Sequence, residues 1–192
     1  WNASALSAIN HFTGWPDREP VGPYVAYTDY VAPMYAVVAV LGALDYRRRT
    51  GKGLYIDQSQ YEATLSFLSI PLLDYIVNGR EWSRRGNRSS RAAPHGVYPC
   101  RGEDRWCAIE IYSAEEWHAF CQIIGQPLWS QHARFATLAG RQENEDELDK
   151  LVAAWTIQYP PEEVMSLLQR AGVGAGVVQT TQDLLERDPQ LR

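Results

Sequence analysis

The sequence predicts a helix-rich α/β chain, and three features carry that expectation. The longest apolar stretch, Val31–Leu44, shows no polar face and is bracketed by Asp29 and Arg47-Arg48-Arg49, the pattern of a helix covered on all sides. Short segments at Leu54–Gln58, Val97–Cys100 and Arg105–Ile111 read as strands. Between and after them lie helical stretches with recognisable start and stop residues.

Composition bounds the class. The chain has 192 residues, enough for one ordinary domain or one domain with a satellite. A net charge of −5 disfavours nucleic acid as a partner. Cys100, Cys107 and Cys121 form no C-x-x-C pair and suggest neither a zinc site nor a disulfide framework, so a reducing cytoplasm is the expected compartment. No metal-ligand spacing stands out. The run Val31–Leu44 is shorter than the ~20 residues of a membrane span, so no membrane partner is expected.

In chain order, Trp1–Phe12 reads as a helix with Trp1, Leu6, Ile9 and Phe12 apolar, and Thr13–Pro20 as a loop rich in breakers. His11, alone near a helix end, reads as surface or capping. Gly22-Pro23 turns the chain toward Asp29, at or just before the start of the central helix. Pro33 then falls within the first turn, where its missing N–H costs little. A carboxylate at a helix start is held by free N–H groups and the positive end of the dipole, so Asp29 reads first as an N-cap. Arg47–Arg49 suit the other end, and Gly51 is the expected stop. Thr50-Gly51-Lys52-Gly53 lacks phosphate-loop spacing and reads as a structural turn.

Tyr61–Val77 follows as a helix that Pro71 should kink or interrupt. Asn78–Pro94 changes register. It carries Arg80, Arg84, Arg85, Arg88 and Arg91 among glycines, serines and asparagines, a pattern that fits either a solvated linker or a phosphate-binding loop. Beyond it, Arg101–Asp104 turns the strand pair Val97–Cys100 and Arg105–Ile111. Ser113-Ala114-Glu115-Glu116 is a capping box, with Trp117, Phe120, Cys121 and Ile124 on one helical face and Gly125 as the stop. Helices are expected over Arg141–Ile157 and Glu162–Ala171. Gly172–Val178 reads as a strand, and Thr180-Thr181 as the cap of a short helix.

These strings resemble the family III CoA-transferases, a group that includes formyl-CoA transferase, carnitine CoA-transferases and α-methylacyl-CoA racemase. Members carry an aspartate, an apolar helix ending "AL-x-x-R-x-x-TG-[RK]-G", and a "VDVSLLEA"-like strand and helix. Here Asp29, Leu41-Gly42-Ala43-Leu44, Thr50-Gly51-Lys52-Gly53 and Leu54–Ala63 follow that pattern without a gap. The segments from Ala93 to Gly125, Arg134-Phe135 with Arg141 and Asn144, Gly172–Val178 and Asp188–Leu191 are similar to the family's smaller domain and ending.

The resemblance implies a remnant of a Rossmann-like, CoA-binding large domain at residues 1–78, with a linker at 79–94. A small α+β domain at 95–176 and a return segment toward the large domain at 177–192 complete it. It also implies a fragment, since family members begin with a nucleotide-binding half that does not precede Trp1 here. Asp29 is then the nucleophile that passes CoA between an acyl-CoA and a carboxylic acid. No prosthetic group is needed, and CoA enters as substrate. Arg84 and Arg88 are candidates for its phosphates, and the full-length protein is expected to be an interlocked homodimer. The racemase branch is the alternative. There Glu110, in the segment Ala108-Ile109-Glu110, would join proton transfer; otherwise it is a solvent-facing residue on a half-buried strand. An inactive or purely structural relative is the third possibility. Only one glycine falls in Gly86–Ser90, where formyl-CoA transferases carry a glycine-rich loop, which favours a carnitine-like or larger acyl substrate.

Overall fold

A computed structural model describes residues 2–23 and 26–191. The apolar position expected at Trp1 lies outside these. The chain forms two compact units, residues 1–86 and 87–192, so the division falls inside the arginine-rich segment 79–94.

In the first unit the opening helix is two short ones, α1 (Asn2–Leu6) and α2 (Ile9–Phe12). Ala8, at φ 61°, breaks them apart with a left-handed backbone. The central helix α3 runs Tyr27–Thr50, a turn longer at each end than the apolar run. Gly51 stops it at φ 74°, donating its N–H to the Arg47 carbonyl at 2.8 Å. Thr50 and Lys52 close the turn beyond it through the Thr50 hydroxyl.

Several expectations fail along this stretch. Pro33 lies past the first turn of α3. The helix is not covered on all sides: Thr28 and Val31 are buried, whereas Val38 is 68% and Leu41 61% exposed. The elements packing on α3 are chiefly α1 and α4 (Gln60–Phe67), which leave most of its length bare. At its true length α3 is also long and apolar enough to meet the requirement for a membrane span, which the shorter run did not. Leu54–Gln58 forms no strand. It has no ladder partner among the described residues, and Tyr55 is 91% exposed. The stretch Tyr61–Val77 is interrupted, as Pro71 leads one to expect, into α4 and α5 (Ser69–Asn78), with Leu68 between them. Pro71 is the cause. It has no N–H for the carbonyl of Phe67, where α4 ends, and sits comfortably in the first turn of α5.

The second unit is built on an antiparallel sheet of β1 (His95–Pro99), β2 (Trp106–Glu110) and β3 (Gly174–Val177), in that order. His95 pairs with Glu110, and Glu110 with Gly174. Along β2, Cys107 and Ile109 point into the core and Trp106, Ala108 and Glu110 away from it. The core face is covered by α6 (Ala114–Ile123), whose Ser113–Glu116 capping box forms as expected. Beyond it come a 3₁₀ turn at Leu128–Gln131, α7 (Ala133–Ala136) and α8 (Leu138–Glu143). Then follow α9 (Glu145–Thr156) and α10 (Pro161–Arg170). The helix expected from Arg141 is thus interrupted at Asn144.

Phe120, Phe135, Leu148, Val152 and Leu168 are fully buried among these helices. Arg141, 1% exposed, donates to the carbonyls of Ala93 at 2.6 Å and Phe135 at 3.3 Å and lies over the Trp117 ring. The three cysteines are free and buried, and burial pushes the Cys107 thiol up to about 12. Residues 177–191 group with this unit. Their helix α11 (Thr181–Glu186), capped by Thr180, is tied to the hairpin by Arg105, whose Nη1 donates to Asp183 at 2.7 Å.

Candidate functional site

Asp29 occupies the first turn of α3. The cap position belongs to Ala26, which makes no side-chain cap bond, so Asp29 is not an N-cap. Its N–H donates to the Ala26 carbonyl at 2.8 Å, while its carboxylate takes partners from side chains. Gln60, the first residue of α4, donates its amide to Asp29 Oδ1 and, at 3.2 Å, to Thr28 Oγ1. The buried Thr28 hydroxyl also lies 3.5 Å from Asp29 Oδ1.

Local sequence explains this meeting. Ser59 caps α4 by accepting from the Glu62 N–H at 3.2 Å, which fixes Gln60 as the first helical residue. One turn on, the buried Thr64 donates to the Gln60 carbonyl at 2.9 Å. Gln58 donates to the Ala32 carbonyl at 2.8 Å, lacing the start of α4 to the first turns of α3. The first turns of two helices, each with a positive dipole end, therefore meet at one carboxylate through the Gln60 side chain. That environment suits an anion and steadies negative oxygen nearby. One carboxylate oxygen is oriented by Gln60. Among the described residues no donor meets the other, and Asp29 is exposed. The arrangement holds one carboxylate oxygen in place and leaves the other accessible, the geometry an attacking carboxylate needs.

The remaining candidates lie elsewhere. Arg84, in the first unit, donates to the His11 carbonyl at 3.2 Å. Arg88, in the second unit, faces Glu145 at 3.4 Å and pairs closely with Asp146, so its charge is already met by two carboxylates. Glu110 is exposed at the end of β2. Its Oε2 accepts from the Tyr112 hydroxyl at 3.1 Å and lies 3.8 Å from His95 Nε2.

Gln60, Thr28 and His95 were not singled out from sequence. Ser59-x-x-Glu62 marks a helix start at Gln60, but nothing local shows that this start meets Asp29. His95 faces Glu110 only through the register of β1 on β2.

A family model described as CoA-transferase family III matches residues 1–192. The chain is similar to succinyl-CoA–D-citramalate CoA-transferase of Chloroflexus aurantiacus, 32% identical over 96% of this chain and 46% of that protein. It is also similar to mouse succinyl-CoA:glutarate CoA-transferase, 27% identical over 95% of this chain and 41% of that one. Among solved structures, a CAIB/BAIF family protein from Brucella suis superposes over 98% of this chain and 49% of its own, with a TM-score of 0.89 at 29% identity. The chain thus spans less than half the length of these relatives.

Proposed function

Because the chain belongs to CoA-transferase family III, we propose that Asp29 is the nucleophile of a CoA transfer from an acyl-CoA donor to a carboxylic acid acceptor. The observation that carries this reading is the Asp29 carboxylate, exposed, held on one oxygen by Gln60 and set between two helix N-termini. Its free oxygen attacks the donor thioester carbon. The C–S bond breaks with its electron pair going to CoA thiolate, leaving a mixed anhydride on Asp29. Thiolate then attacks the aspartyl carbonyl, freeing the donor acid and forming an aspartyl thioester. The acceptor carboxylate displaces thiolate to give a second anhydride, and thiolate attacks its acyl carbon. Acceptor acyl-CoA leaves and the Asp29 carboxylate is restored. No proton is consumed, in keeping with a nucleophile backed by dipoles and an amide rather than by a base. Gln60 acts as a positioning residue.

In this reading CoA and acids are substrates, and Arg84, which donates to a backbone carbonyl and faces no carboxylate among the described residues, is better placed than Arg88 to meet a phosphate. We read the whole protein as a cytoplasmic homodimer. Its support is the three reduced, buried thiols and the bare apolar length of α3, which we take to be covered by protein rather than lipid. The test is partial exchange. With labelled donor acid and its acyl-CoA, but no acceptor, the whole protein should pass label into the thioester, and Asp29→Asn should stop it. Absence of exchange together with uptake of solvent deuterium at the acyl α-carbon would instead identify racemase-type proton transfer, for which Glu110 beside His95 is the supporting feature.

A further inference from the structure

The sheet of the second unit has one face on the core and one open, and the open face holds a cleft of about 500 Å³. Ala108, Gly174 and Gly176 form its floor. A Cβ at Gly174 would lie 2.8 Å from Glu110 Cγ, so glycine there makes room for that side chain to lie across the strand. A Cβ at Gly176 would meet nothing within 4 Å. Packing within the unit therefore does not require glycine at 176, and its effect is to leave the floor bare for an approaching group.

His95 and Glu110 stand side by side on this floor, each held from behind. The Asn87 carbonyl can only accept, so His95 Nδ1 carries the hydrogen they share, and a neutral imidazole then offers Nε2 as an acceptor. The Tyr112 hydroxyl donates to Glu110 Oε2 at 3.1 Å, and its ring meets the imidazole edge-on. Nε2 and Oε2 are 3.8 Å apart, beyond a direct hydrogen bond. Two acceptors thus face one gap, one of them anionic. A single nitrogen about 2.8 Å from both fits that spacing, provided it carries two N–H donors. A hydroxyl has one hydrogen and satisfies only one of them, whereas a primary ammonium satisfies both and matches the charge. Glu145 of α9 interacts electrostatically with the ring, and Arg88 is occupied by Glu145 and Asp146.

We propose that this cleft binds a small organic molecule through a primary ammonium group that bridges His95 Nε2 and the Glu110 carboxylate. The site does not involve Asp29, so it stands or falls apart from the transfer chemistry. The test uses the full chain with three probes of one shape: butylamine, butyltrimethylammonium and butanol. The readout is the His95 ring signal in proton–carbon NMR, at about pH 8, where alkylammonium is charged and free imidazole neutral. Butylamine is expected to shift the signal saturably and to bind roughly tenfold tighter than the other two. Glu110→Gln, at an exposed position, should remove that preference with the spectrum otherwise unchanged, and Gly176→Leu should block binding by filling the floor. Equal binding of all three probes, no response to any of them, or a preference that survives Glu110→Gln would each overturn the proposal.

Discussion

In the proposed transfer, Asp29 supplies the chemistry and Gln60 the orientation. Asp29→Asn keeps the shape of the side chain and removes the nucleophile, so covalent intermediate should vanish. Gln60→Ala leaves the nucleophile but frees its carboxylate to rotate, and formation of the intermediate should slow by about tenfold to a hundredfold without being abolished. Rapid-quench measurement of the intermediate separates the two. In the second unit, Arg105 donates to Asp183, the Thr180 N–H and hydroxyl add to it, and together they hold that carboxyl down at about 2. A carboxyl depressed in the folded state stabilises the fold above its unfolded value near 3.8 and loses that contribution as pH falls through about 2. Acid unfolding followed by circular dichroism should therefore show a loss between about pH 4 and pH 2 that Arg105→Gln diminishes.

At the scale of elements, α3 joins sequence to site. Its start, its basic end and its Gly51 stop were legible because each depends on residues within a turn of one another. Its exposure was not, because an apolar run states that a surface wants cover and not which chain supplies it. The same limit explains Leu54–Gln58, whose alternation is that of a strand but which has no partner here to pair with. Asp29 could be picked out as a carboxylate at a helix start. That it is oriented by Gln60 depends on a contact 31 residues away in sequence. Bare apolar helix surface drives association. Val38→Glu combined with Leu41→Glu should lower the sedimentation-derived mass of concentrated chain without lowering its melting temperature, since both side chains are exposed. Arg141 presents the opposite case. Arg141→Met retains the packing on Trp117 but strips donors from two carbonyls, and should cost about 2–3 kcal/mol in denaturant titration.

As a whole molecule, the chain is two units of unequal density. The second has a closed core under its sheet; the first leaves α3 and α5 largely bare. Calorimetry should resolve two transitions, the upper one belonging to residues 87–192. Phe120→Ala, which empties the centre of that core, should lower only the upper transition, by about 3–5 kcal/mol in stability. Under the proposed transfer, the 192-residue chain alone should turn over little or not at all, because Asp29 is exposed and the helix that carries it is largely bare.

The central claim is covalent chemistry at Asp29, and a mass reads it directly. A protein of the family's full length carrying this chain would be incubated with a panel of acyl-CoAs, treated with hydroxylamine and digested. The account predicts a hydroxamate on the peptide containing Asp29 in the unaltered protein, and none in Asp29→Ala. Acyl transfer proceeding at full rate in Asp29→Ala, or a hydroxamate on some other carboxylate, would contradict it.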